Sequence, residues 1–202
     1  MAKLLPEFFR RDNEGPDSIF YAEPRFSTHL GPAASHAAYA RYAELLPPQG
    51  HILDLMAGYV SHLPATFSRV TGLGLNRDEL SYNPRLSDYL VFDLNQPGFL
   101  PFADALFDGV VCTEGTPYLT RPLETFAEVA RSLKHGAPFV ISFSNRMFES
   151  KAVLAWRAAD DAARLRLVRS YLGATEGLGK TYSSHFEPAD GDPLYTVWAV
   201  KH

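Results

Sequence analysis

The residues able to do chemistry in this chain are spread along it, each one falling just after a short apolar run. Asp54 sits near the end of HILDL and is followed by the turn Met56, Ala57, Gly58. Asn76 follows VTGLGL, and Asp93 with Leu94 follows DYLVF. Cys112 closes DGVVC with Thr113 and Glu114 next, and Asn145 and Arg146 follow PFVISF. A carboxylate beside a small-residue turn accepts hydrogen bonds from an ammonium or a hydroxyl, and the turn lets a ligand approach the backbone closely. That pairing suits a cationic or sugar-bearing ligand better than a bare phosphate.

Other side chains offer proton transfer or anion binding. His62, in the segment after Gly58, has a reference pKa close to neutrality and can take a proton from a hydroxyl or amine, or else cap a helix or bond a carbonyl. The stretch YAEPRFSTHLG gathers Tyr21, Arg25 and His29: a lid with a cation for an acidic ligand and a second base, or an arm pinned by Phe20, Tyr21 and Phe26. Arg146 can grip a carboxylate or phosphate in bidentate fashion, or pair with Glu149 or another acid across a rim. Cys112 has no neighbouring base and reads as a buried strand residue rather than a nucleophile. Asp93 and Asn95 also suit a turn.

The elements that must hold these residues follow from periodicity. Short apolar strands at 51–55, 70–75, 88–92, 108–112 and 138–143 alternate with helical or looped connections, which predicts a parallel sheet covered on both faces. Residues 32–46 suit a helix ended by Pro47 and Pro48. In 121–134, Leu123, Phe126, Val129, Ala130 and Leu133 recur every three or four positions, with Thr120 as cap and Gly136 as stop. A long helical region, 149–171, is broken near Asp160. TYSSHF and LYTVWAV flank a Gly191/Asp192/Pro193 turn and read as an antiparallel hairpin. Residues 1–31 form an arm or lid without sustained period, and 32–202 form one domain. In such a sheet, ligands bind beyond the carboxyl ends of the strands, where the polar residues fall.

Composition narrows the classes. The chain has 202 residues, with 19 Lys plus Arg against 23 Asp plus Glu, a net charge of -4 that argues against nucleic acid as a partner. Its single cysteine supplies neither a disulfide nor a thiolate metal cluster, so no metal is expected. Its apolar stretches are strand-length, which predicts a cytoplasmic protein without a membrane span. The first turn lacks the glycine spacing of a dinucleotide site and the Lys-Ser/Thr ending of a phosphate loop, against NAD and ATP.

From His51 to Phe143 the order of motifs resembles the class I S-adenosylmethionine-dependent methyltransferases, the type 11 group above all. DLMAGYVSHLP, GLGLN, DLN and SFSNRMF are similar to a poorly characterised subgroup. The resemblance implies an α/β, Rossmann-like methyltransferase fold: a mostly parallel seven-stranded sheet with an antiparallel C-terminal hairpin and helices on both faces. It implies S-adenosyl-L-methionine as cofactor, with Asp54 at its methionyl part, Met56, Ala57 and Gly58 alongside, Asn76 at the ribose, and Asp93 and Leu94 at the adenine. Cys112 and Thr113 would flank the transferable methyl, with Glu114 and Tyr118 near it. A small-molecule acceptor would meet Tyr21, Arg25, Tyr118, Asn145 and Arg146, with His62, His29 and Glu114 as candidate catalytic groups. The alternative is a catalytically inactive protein of this fold that binds the cofactor or a protein partner.

Overall fold

The structure, a computed structural model, describes residues 5–202. The N-terminal stretch holds a 3-10 turn, Pro6–Phe9, and the short helix α1, Asp17–Phe20. Then come α2, Pro32–Leu45, β1, His51–Leu55, and β2, Arg69–Gly74. α3, Arg77–Ser81, leads to β3, Asp88–Val91. β4, Gly109–Thr113, precedes α4, Pro122–Ser132, and β5, Pro138–Phe143. α5, Leu154–Arg157, and α6, Asp161–Ala174, come before β6, Tyr182–Phe186, and β7, Leu194–Val200.

All seven strands form one sheet in the order β3-β2-β1-β4-β5-β7-β6; the first five in this order run parallel, and β7 is antiparallel to both β5 and β6. The expected Rossmann-like architecture and its antiparallel C-terminal hairpin are both present. Side chains of the central strands alternate between two cores. Leu53, Val110, Phe139 and Ile141 join Phe126 of α4, Trp156 of α5 and Tyr171 of α6. Ile52, Val111 and Val140 join Ala34, Ala38 and Tyr42 on one side of α2. Burial on both faces explains why these strands read as nearly unbroken apolar runs.

Local chemistry sets the helix ends. Pro47 and Pro48 stop α2, and the Asp160 carboxylate accepts the Ala163 amide at 2.7 Å, starting α6 at the expected break. α4 differs in two details. Thr120 is not its cap: the Thr120 amide and hydroxyl both donate to Asn95 Oδ1, at 2.8 and 3.0 Å. Leu123, the first residue of the anticipated stripe, stands exposed. Gly136, at φ +81°, turns the chain after the helix, a conformation only glycine adopts without strain.

The N-terminal arm is fastened to the domain. The Asn13 amide donates to Ser150 O and the Leu154 amide to Arg10 O, each at 2.8 Å. Asp17, buried, receives Arg11, Lys151 and Asn95, each at 2.8 Å, and Lys151 is 0% exposed. At the arm's end the Gly31 amide donates to Asp192 of the β6–β7 turn at 3.1 Å.

Candidate active site

β1, β2 and β3 succeed one another toward one edge of the sheet while β4 and β5 go the other way, so the topology reverses between β1 and β4. That reversal opens a crevice at the carboxyl ends of the strands. Here it forms a cavity of about 640 Å³, within the range of small-molecule sites.

Asp54 enters this cavity from β1. It is 4% exposed; Ser61 donates its hydroxyl to Oδ2, and no protein donor takes the other oxygen among the described residues. Burial pushes its carboxyl up to about 7, while the Ser61 bond pulls the other way. The following turn holds Met56 at φ +60°, and the Ala57 amide donates to Leu73 O at 2.8 Å. This carries the loop over the end of β2, where a Cβ on Gly74 would sit 2.1 Å from Ala57 O. No side chain fits there. Asn83 secures the loop by donating to Gly58 O at 2.8 Å and to the Ser61 hydroxyl at 3.0 Å.

Asn76 lines the cavity, but its amide is already engaged on both sides. Oδ1 accepts the Asp78 and Glu79 amides and starts α3; Nδ2 donates to Tyr21 O at 2.9 Å and Ala22 O at 3.0 Å. The expected grip on sugar hydroxyls is therefore corrected to a cap that also holds the arm. The acid at this end is Glu79, which the sequence reading missed. Its Oε1 accepts the Arg25 amide at 2.7 Å, Oε2 lies near Gly58, and burial raises its pKa. The available signal was Asn76-x-x-Glu79, the spacing of a capping box, which points the Glu back to its own helix rather than into a cavity.

Past β3, Asp93 both lines the cavity and builds its own turn: the Asn95 amide donates to Oδ1 at 2.9 Å, and Gln96 Nε2 to Oδ2 at 3.1 Å. Leu94 is a buried apolar part of the wall. Past β4, Thr113 reaches the cavity with its hydroxyl bonded to Tyr42 Oη at 2.6 Å. Cys112 does not reach it: fully buried, its sulfur faces Thr116 Oγ1 at 3.9 Å, and burial pushes its thiol up to about 12. Alternation along β4 turns Cys112 into the core while Thr113 faces the ligand space. Glu114, at φ +58°, accepts the Ser144 amide on Oε1 at 2.5 Å, and burial pushes its carboxyl up to about 7.

The arm and the β5 mouth form the opposite wall. Tyr21, Arg25, His29, His62, Tyr118, Asn145 and Arg146 all line it, together with Phe148, a residue the sequence did not single out. Tyr118 Oη accepts the Phe148 amide at 2.9 Å. Burial pulls His62 down to about 4 and also lowers His29, so both imidazoles are neutral at pH 7 and weak as bases. Arg146 pairs with Asp192 at 2.8 Å rather than with Glu149. Among the described residues no group of three His, Cys, Asp or Glu is placed to hold a metal ion, and no helix is long and apolar enough to cross a membrane.

Residues 53–141 match a family model described as a methyltransferase domain. Over that segment the chain is similar to the type 11 methyltransferases. Over 129 residues, 62% of its length, this chain is 28% identical to the biotin biosynthesis bifunctional protein BioHC of Teredinibacter turnerae; the chain spans 20% of that curated relative's length. A SAM-dependent methyltransferase from Archaeoglobus fulgidus superposes with a TM-score of 0.59 at 15% identity, over 82% of this chain and 92% of that one. A Haemonchus contortus phosphoethanolamine N-methyltransferase, solved with phosphomonomethylethanolamine and S-adenosylhomocysteine, superposes with a TM-score of 0.55 at 14% identity, over 85% of this chain and 53% of that one. At these identities the likeness to the solved structures is one of fold.

Proposed function

We propose that the protein transfers a methyl group from S-adenosylmethionine to a small molecule. The observation that carries this is Asp54: a buried carboxyl at the reversal point of a methyltransferase-domain sheet, with one oxygen free of protein donors. A cationic ligand answers both its free oxygen and its raised pKa, because a neighbouring positive charge favours the ionised form. Glu114, equally buried and raised, adds a second carboxyl suited to positive charge.

The cofactor supplies an electrophilic methyl carried on a sulfonium. Asp54 would hold its ammonium end, with the Met56–Ala57–Gly58 backbone alongside. Glu79 would accept the sugar hydroxyls, since Asn76 is engaged and Gly74 has no room for a side chain. Asp93 and Leu94 would border the base, with Thr113 and Glu114 near the reacting centre. The arm, as a cover over residues 32–202, excludes water, and the wall formed by Tyr118, Asn145 and Phe148 positions the acceptor. Positioning of this kind supplies most of the rate in a displacement that has no demanding proton transfer.

Calorimetric titration of folded, ligand-free protein with S-adenosylmethionine and with S-adenosylhomocysteine tests this. Micromolar binding that is lost in Asp54→Ala is expected; absence of binding to either compound would overturn the reading. A second reading, a binder without turnover, is favoured by one feature: the Asn76 amide is already held by the arm. Repeated turnover on any acceptor would exclude it.

A further inference from the structure

We infer that Arg25 and Tyr21 form a carboxylate-binding subsite in the cavity wall, so that the methyl acceptor is a small organic acid held by its carboxylate. The word acceptor rests on the methyltransferase reading above; the subsite itself does not.

Arg25 is held in place before any ligand arrives. Its guanidinium carbon lies 5.0 Å from the Phe20 ring centre, 5.4 Å from that of Tyr21 and 5.2 Å from that of Phe148, and Nη2 donates to Phe20 O at 3.1 Å. Nη1, in contrast, is buried without a hydrogen-bond partner, and so is the Tyr21 hydroxyl. Unmet buried donors are uncommon in folded proteins and ask for an explanation. The other orphaned side-chain atoms among the described residues belong to Arg11, Trp156 and Arg157, which do not line this cavity. Arg25 Nη1 and the Tyr21 hydroxyl belong to residues that line the cavity and both can donate, so a ligand with two acceptor oxygens that reaches them would satisfy both.

Charge identifies that acceptor. Among the described residues no carboxylate pairs with the Arg25 guanidinium, whereas Arg146 in the same wall is neutralised by Asp192 at 2.8 Å. Of the carboxyls that line the cavity, Asp54, Glu79 and Asp93 sit past β1, β2 and β3, on the side suited to a cationic cofactor. Asp17, bound by Arg11 and Lys151, Glu114, bonded to the Ser144 amide, and Glu149 complete the set, and none of the six pairs with the Arg25 guanidinium. The Arg25 guanidinium lies against the Phe148 ring beyond β5, and its charge acts on Glu79 without forming an ion pair with it. His29 and His62 bring no further positive charge, since burial favours their neutral forms. One guanidinium without an ion-pair partner beside one hydroxyl donor suits one negative charge shared by two oxygens, which is a carboxylate; a phosphate dianion would remain undercompensated.

The test is an NMR titration of wild-type protein, ligand-free and saturated with S-adenosylhomocysteine, with benzoate, neutral benzamide and phenyl phosphate as probes. Benzoate is expected to bind at least about tenfold more tightly than benzamide, the scale of a charge-assisted hydrogen bond. Arg25→Gln should abolish this preference, Tyr21→Phe should reduce it, and Arg25→Lys should retain part of it. Equal binding of benzoate and benzamide would overturn the inference, as would a preference that survives both Arg25→Gln and Tyr21→Phe; tighter binding of phenyl phosphate would replace the carboxylate by a phosphate. If Arg25→Gln does not fold, the Tyr21→Phe and Arg25→Lys results decide. Calorimetry with S-adenosylhomocysteine on the same samples separates the two readings: a benzoate preference without homocysteine-analogue binding leaves the subsite and removes the methyltransferase, and the reverse removes the subsite alone.

Discussion

The Arg25 backbone amide donates to the Glu79 carboxylate at 2.7 Å, joining the arm to α3 across 54 positions of sequence. The bond uses one oxygen of Glu79 and leaves the other beside Gly58. If Glu79 also accepts sugar hydroxyls, charge and hydrogen bonding are separable by mutation. Glu79→Gln keeps an acceptor for Arg25 and should weaken S-adenosylhomocysteine binding about tenfold, with amide exchange at Arg25 unchanged. Glu79→Ala should weaken binding further and speed exchange at Arg25. Calorimetry and hydrogen exchange check the pair.

Asp54 and Glu114 make stability depend on pH in a definite direction. Both have folded pKa values of about 7, raised by burial, against about 4 for a carboxyl in an unfolded chain. At these two carboxyls the fold binds more protons than the unfolded chain between about pH 4 and 7, so their contribution to stability falls as pH rises through that window. His62, His29 and His51, held below the usual imidazole value by burial, contribute the opposite slope below about pH 6.5. From pH 5 to pH 8 the Tm difference between ligand-free wild type and Asp54→Asn should shift by about 5–10 °C in favour of the variant, because Asp54 alone is removed from the balance. Asp17, Asp88 and Asp108 are shifted below the usual carboxylate range and contribute the opposite slope, but only in acid, as pH falls below about 4. Differential scanning calorimetry across pH separates the two windows.

The buried cluster at Asp17 holds two cations, Arg11 and Lys151, around one carboxylate. Asp17→Asn leaves the fully buried Lys151 without an anion and Arg11 with only the exposed Glu14, at 3.7 Å, and should cost about 3–5 kcal/mol; Lys151→Met leaves the Arg11–Asp17 pair standing and should cost less. Urea denaturation gives the order, and an inverted order would refute the charge count.

Cys112 offers a test that needs no ligand. Its thiol is fully buried, pushed up to about 12, and is the sole cysteine of the chain. A thiol-reactive disulfide reagent should fail to label native protein over minutes and label it fully in denaturant. Fast native labelling would place the sulfur in the cavity after all.

Much of the fold was legible because its signals are local. The Pro47–Pro48 stop, the Asp160 break and the two-faced apolar strands each lie within a few residues of the feature they cause. The strand-end positions of Asp54, Asp93 and Glu114 followed from the same grammar. What was hidden depends on partners distant in sequence. Thr120 looked like a cap because nothing in its neighbourhood reveals Asn95, 25 residues earlier. Asn76 looked free because its partners, Tyr21 O and Ala22 O, are backbone atoms of the arm. The arm itself, aperiodic as read, gains its short helices by packing against Ser150, Lys151 and Leu154.

Asp192 holds the Gly31 amide and Arg146 together, one from the end of the arm and the other from the mouth of β5. The span between β6 and β7 thereby ties the end of the arm to Arg146 in the cavity wall, although it lies far along the chain from the strand-end acids. Lengthening that turn by a residue or two should admit bulkier guests without touching the floor of the site, and shortening it should exclude them. Under the proposed function, ligand range would thus be adjustable from a hairpin that supplies none of the strand-end acids.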